Sequence, residues 1–169
     1  MATTVNFKGN PVELSGTLPQ IGDQAPAFTL TNTKMEPVHL ADSNGHIRVL
    51  SVVPSIDTGV CATQTRHFNE ALSQLPQGVE FYTISVDTPM AQGRWCGAEG
   101  ITKMQMLSDF KGNTFGNSYG LYIPEMGLLA RSVWIIDGDD KVAYRQIVPE
   151  IGEEPNYDEV LQKVNEMAG

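Results

Sequence analysis

The chain has 169 residues, 41% of them hydrophobic, and a formal charge of −9 from 11 Lys and Arg against 20 Asp and Glu. That length fits a single domain over residues 1–169 with a substantial core, and the apolar content leaves no case for disorder. The acidic balance argues against nucleic acid and anionic membrane as partners, since both need clustered cations, and it says little about a small neutral substrate.

In chain order, Val5-Asn6-Phe7 and Val12-Glu13-Leu14 alternate around Gly9-Asn10-Pro11 and predict a small β-hairpin. Residues 15–25 carry Gly and Pro and read as a loop. Phe28–Leu30 and Val38–Leu40 are short strand candidates. Ile47–Val53 is almost wholly apolar, as expected of a central strand covered on both faces. Beyond it, Cys61, Thr65, Phe68, Leu72 and Leu75 recur at spacings of four and three, the stripe of a helix packed against the protein body. Arg66, Asn69, Glu70 and Ser73 fall off that stripe. Val79–Val86 is the next strand. Thr88 is an N-cap candidate and Pro89 suits the first position of a helix that carries Cys96. Met104–Leu107 predicts a strand and Thr114–Tyr119 a short helix. Ser132–Ile136 and Val142–Val148 flank the turn residues Asp137–Asp140 and predict a second hairpin. Asn156, with Glu159 three residues on, resembles a capping box for a last helix bearing Val160, Leu161, Val164 and Met167. Strands alternating with helices predict an α/β sandwich around a mixed sheet.

The junction between the apolar strand and the long helix is Pro54-Ser55-Ile56-Asp57-Thr58-Gly59-Val60-Cys61. Free backbone N–H groups and the positive end of a helix dipole converge at such a place, and both favour thiolate, the reactive form of cysteine. Because Cys61 opens the inward stripe, it reads as the floor of a pocket. The alternative is an inert buried cysteine, a common fate for this residue. Two cysteines in 169 residues do not make a disulfide scaffold. No apolar run approaches the roughly 20 residues that span a bilayer. The start, Met1–Asn6, lacks the basic head and apolar stretch of a signal peptide, so a cytoplasmic location is the expectation.

Pro-x-x-x-Thr-x-x-Cys is also the active-site signature of peroxiredoxins. The longer PSIDTGVC, together with Cys96-Gly97-Ala98-Glu99-Gly100, resembles the bacterial thiol peroxidases, an atypical two-cysteine branch of that family. Val5–Val12, Phe28-Thr29-Leu30, Arg131 and Pro155-Asn156-Tyr157 also look like this branch, so the resemblance covers most of the chain. It implies a thioredoxin-like fold with a central mixed sheet flanked by helices and an N-terminal β-hairpin. It implies a thioredoxin-dependent peroxidase acting on hydrogen peroxide or an alkyl hydroperoxide, and a homodimer. No metal, haem, flavin or other cofactor is implied.

The residue roles follow from that resemblance. Cys61 would attack one peroxide oxygen and become a sulfenic acid. Cys96 would resolve it as an intrachain Cys61–Cys96 disulfide. Thr58 would place its hydroxyl near the sulfur and the peroxide; it is equally suited to cap the helix, and the two roles are compatible. Pro54 ends the strand and would also shield the pocket from water. Arg131, a charge at the head of the apolar run Ser132–Ile136, would be the active-site cation, whereas Arg66 points off the stripe and reads as a surface ion-pair residue. Gly93 and Gly97 bracket Cys96, so its helix is weak by composition, which suits unwinding after oxidation. His39, His46 and His67 show no metal-ligand spacing, and Asp137, Asp139 and Asp140 lack the calcium-loop pattern.

Two other classes compete. A general thiol–disulfide oxidoreductase would use Cys-x-x-Cys, but Cys61 and Cys96 stand 35 positions apart. A peroxide-sensing redox switch would use the same reactive thiol but turn over poorly.

Overall fold

A computed structural model describes residues 3–101 and 104–168. It opens on the antiparallel hairpin β1 (Thr4–Phe7) and β2 (Asn10–Glu13), in which Phe7 pairs with Asn10. The turn is thus Lys8-Gly9 rather than the predicted Gly9-Asn10-Pro11. Both turn residues take positive φ, 51° and 82°, the geometry whose twist matches the flanking strands. Pro11 sits in β2, where a two-stranded ribbon has an open edge that does not need its missing N–H.

The main body follows with β3 (Thr29–Asn32), β4 (Pro37–His39), β5 (Ile47–Val52), α1 (Gly59–Ala71), β6 (Val79–Ser85), α2 (Pro89–Glu99), β7 (Gln105–Ser108) and α3 (Thr114–Ser118). A short hairpin, β8 (Tyr122–Ile123) and β9 (Leu128–Leu129), precedes β10 (Ser132–Ile136), β11 (Val142–Ile147) and α4 (Tyr157–Ala168). Seven strands make one mixed sheet in the order β11-β10-β5-β6-β7-β3-β4. β5, β6 and β7 run parallel, and the strands outside them pair antiparallel. β5 is an interior strand between β10 and β6, in keeping with its apolar run, and β6 is the central one.

Alternation along β5 divides the core. Leu50 and Val52 join one apolar cluster with Trp134, Ile84, Leu107, Phe115 and Tyr119, covered by α3 and the N-terminal hairpin. Val49 and Val53 join the other with Phe81, Val133, Ile135, Phe68, Val160 and Val164, covered by α1 and α4. Cys61 and Cys96 both belong to this second cluster. Both α/β layers therefore meet on the strand that leads into the Cys61 loop.

At the far end of β5, fully buried Arg48 pairs with Asp140 and donates to the carbonyls of Leu40 (3.0 Å) and Asp137 (2.7 Å). Its two terminal nitrogens are partnered, which offsets the cost of burying the charge, while Nε has no partner among the described residues, and the group pins the β10–β11 turn to the turn after β4. No helix among the described residues is long and apolar enough to cross a membrane.

Candidate active site

β5 ends at Val52, and its C-terminal end delivers a six-residue connection, 53–58, to α1. Thr58 is the N-cap of α1, with extended φ −98° and ψ 150°. Its hydroxyl accepts from the Cys61 N–H at 3.3 Å and donates to the Ser55 carbonyl at 3.2 Å. The capping role is therefore occupied in this state, and the Cys61 N–H faces the threonine oxygen. The helix starts at Gly59, which places Cys61 in its first turn.

Cys61 is fully buried. Arg131, immediately before β10, is also buried and is brought to the sulfur by the β10–β5 pairing. Its planar group is committed on three sides. Nε donates to the Ile151 carbonyl at 2.8 Å, Nη1 to Gln64 Oε1 at 3.0 Å, and Nη2 to Cys61 Sγ at 3.3 Å. Gln64 in turn donates from Nε2 to Ser51 Oγ at 2.8 Å, so its amide is fixed at both ends. A guanidinium held this way is a permanent cation aimed at the sulfur and at any charge that develops beside it.

Pro54 is buried at the start of the Cys61 loop and Ile56 is 1% exposed, whereas Thr58 and Gly59 are exposed. Thr58 and Arg131 thus both hydrogen-bond to Cys61, and Pro54 lies at the start of the same loop. Gln64, which the sequence reading does not name, belongs with them through its hydrogen bond from Arg131. Its spacing of three from Cys61 puts it on the same inward face, which is the signal that could have found it.

Cys96 stands apart on α2. Thr88 caps this helix by accepting from the Ala91 N–H at 3.2 Å, Pro89 occupies its first position, and Gly100 closes it with φ 68°. Both cysteines are free thiols. Burial against the second core cluster pushes the Cys96 thiol up to about 11, so it is protonated at neutral pH while it stays on the helix. Arg66 does not reach Cys61. It pairs through Nε with Glu99 Oε1 at 2.5 Å on the surface, tying α1 to the last turn of α2.

The histidines take local partners. His46 Nδ1 meets the Gly78 carbonyl at 3.0 Å, His39 Nδ1 meets Thr29 Oγ1 at 2.8 Å, and His67 stacks on Tyr157 at 3.8 Å. Among the described residues no group of three or more His, Cys, Asp or Glu side chains could hold a metal ion.

The AhpC/TSA family model matches residues 21–145. A protein of Bacillus subtilis named thiol peroxidase is 49% identical over 158 residues, 94% of each chain. One of Listeria innocua with the same name is 48% identical over 95% of this chain and 96% of its own. Among solved structures, a peroxiredoxin-like protein from Aquifex aeolicus superposes with a TM-score of 0.92 at 43% identity, covering 99% of this chain and 98% of its own.

Proposed function

The chain belongs to the AhpC/TSA family, and from that premise we propose that it is a thiol peroxidase that reduces hydrogen peroxide and organic hydroperoxides with Cys61 as nucleophile. The observation that carries this reading is the Arg131 Nη2 donor 3.3 Å from a fully buried Cys61 sulfur at the start of α1. The thiolate attacks the nearer peroxide oxygen, an S–O bond forms and the O–O bond breaks. The pair of electrons leaves with the far oxygen, which takes a proton and departs as water or an alcohol. Cys61 is left as the sulfenic acid. Arg131 opposes the charge that moves from sulfur to oxygen. Thr58, once its hydroxyl turns from the Ser55 carbonyl, donates to the peroxide, and Pro54 keeps competing water out.

Cys96 then attacks the Cys61 sulfenic sulfur, an S–S bond forms and water leaves. This step requires Cys96 to leave its position on α2, where its thiol is buried and protonated; Gly93 and Gly97 support that reading by weakening the helix. A dithiol reductant, which we take to be thioredoxin, supplies two electrons and returns both thiols. The reading also carries one thioredoxin-like domain over 1–169, a cytoplasmic setting and a homodimer; sedimentation at micromolar concentration tests the last.

The test of the whole cycle is steady-state peroxide consumption with thioredoxin, its reductase and NADPH. Wild type should turn over, Cys61→Ser should not, and Cys96→Ser should lose thioredoxin-driven turnover. Full turnover by Cys96→Ser would remove the intrachain disulfide from the scheme. Stoichiometric oxidation of Cys61 in wild type without turnover would replace the peroxidase by a redox switch.

A further inference from the structure

One half-buried carboxylate outside the residues so far assigned holds the Cys61 loop in place. Asp87 lies after β6, next to the Thr88 cap of α2. Its Oδ1 accepts from Ser55 Oγ at 2.8 Å, and its Oδ2 from the Ile56 N–H at 2.9 Å and from Ser85 Oγ at 2.6 Å. Two of these donors belong to the 53–58 connection, where Pro54 contributes no N–H. Ser55 continues the chain. Its Oγ accepts from the Asp57 N–H at 3.2 Å, and its carbonyl accepts from the Thr58 hydroxyl at 3.2 Å and the Thr58 N–H at 3.3 Å. Thr58 Oγ1 then accepts from the Cys61 N–H. An unbroken series of hydrogen bonds therefore runs Asp87–Ser55–Thr58–Cys61.

The other side of the carboxylate reaches the resolving helix. Ser85 Oγ accepts from Gln92 Nε2 at 3.0 Å, and the same amide donates to the Leu107 carbonyl at 2.9 Å. Ser108 Oγ donates to the Asp87 carbonyl. The Asp87 side chain thus ties the Cys61 loop to the end of β6 and, through Ser85 and Gln92, to the first turn of α2 and the end of β7.

We propose that Asp87 is a positioning residue of the peroxidase centre, whose carboxylate sets the Ser55–Thr58 segment so that the Thr58 hydroxyl stands over the Cys61 sulfur. The inference rests on the peroxidase reading above. A misplaced hydroxyl costs rate only in a reaction that needs it, and displacements of an ångström are worth up to about a hundredfold. Reaction with peroxide needs a donor on the oxygens. Alkylation by iodoacetamide needs only a thiolate that can be reached.

The experiment compares both reactions of Cys61 in a Cys96→Ser background, by quenched mass spectrometry of the sulfenic and the alkylated forms. Asp87→Ala should lower the peroxide rate constant about thirtyfold while alkylation changes less than about threefold and keeps its pH midpoint. Asp87→Asn keeps an oxygen for Ile56 and Ser85 and has the same shape, so it should recover most of the loss. Ser55→Ala, which leaves the carboxylate its other two donors, should fall in the same direction by a smaller factor. Asp87→Ala on top of Thr58→Ala should be no slower than Thr58→Ala alone, because the carboxylate acts through that hydroxyl. Peroxide and alkylation rates falling together, a peroxide rate within threefold of the parent, or additive losses in the double variant would each overturn the proposal. A parent protein that meets peroxide no faster than free cysteine would instead sink the peroxidase reading and leave the Asp87 geometry without this role.

Discussion

Arg131 satisfies three acceptors at once because a guanidinium is flat and presents five N–H groups in fixed directions. Lysine keeps the charge but offers a single flexible ammonium. Arg131→Lys should therefore lower the rate of sulfenic acid formation by about a hundredfold, the scale of losing one oriented donor to developing charge. It should also leave the Gln64 oxygen or the Ile151 carbonyl without a buried partner, at about 1–3 kcal/mol of stability. Stopped-flow oxidation and urea unfolding of the same variant measure the two effects; an unchanged oxidation rate would show that charge alone suffices. Cys61, Thr58 and Pro54 stand out in the sequence because one eight-residue motif carries the family resemblance, and the same resemblance singles out Arg131 at the head of an apolar strand. Gln64 was legible only as an inward-facing position, not by its role, and Asp87 was not legible at all. Gln64 acts through a partner 67 positions away, and Asp87 through donors 31 and 32 positions away. Only the parallel pairing of β5 with β6 brings the latter together.

Helix α2 is built firmly at one end and loosely at the other. Its N-terminus has the Thr88 cap, Pro89 and the buried Gln92 amide, whereas from Gly93 on it carries Gly93, Cys96 and Gly97 and is tied to α1 by the exposed pair between Glu99 and Arg66. A methyl at Gly93 would meet Thr33 Cβ at an ordinary 3.6 Å, and one at Gly97 would meet nothing within 4 Å. Alanine at each position should therefore strengthen the helix by about 1 kcal/mol without a clash. If Cys96 must unwind to reach Cys61, each substitution should slow disulfide formation about fivefold and leave sulfenic acid formation untouched. Single-turnover trapping separates the two steps, and equal resolution rates would end the unwinding scheme. Removing the surface ion pair with Arg66→Ala should act the other way and more weakly, by less than about fivefold, because exposed pairs contribute at most about 1 kcal/mol. At this scale the sequence was read well where a pattern was local: the Thr88–Pro89 start, β5, α3 and the β10–β11 hairpin all form. It was misread where backbone geometry decided. The first turn slipped by a residue because Lys8 accepts positive φ, and β8–β9 was missed because two-residue strands have no period to detect.

The molecule as a whole joins its two layers through buried polar groups, and one of them makes stability depend on pH. Asp109, 2% exposed after β7, accepts from the Phe115 N–H at 3.0 Å and the Gly116 N–H at 2.8 Å and so fastens α3 to the sheet. The fit there is close: a Cβ at Gly116 would fall 2.5 Å from Leu129 Cδ2. Burial raises the Asp109 carboxyl to about 6, against the opposing pull of the Gly116 and Phe115 amides. Since the folded value lies above the unfolded one, the native state holds this proton more tightly. The group's contribution is then greatest below about pH 4 and declines as pH rises to about 6, at no more than about 1.4 kcal/mol per pH unit. Asn cannot titrate, so the stability of wild type relative to Asp109→Asn should fall across that window and stay level above it. Most paired carboxylates would drive stability the opposite way, which is why the difference between the two proteins, and not either curve alone, isolates Asp109. Urea midpoints at half-unit steps from pH 4 to 7 provide it, and a constant difference across those steps would mean that the carboxyl stays ionised while buried, with its two amide donors outweighing the loss of water.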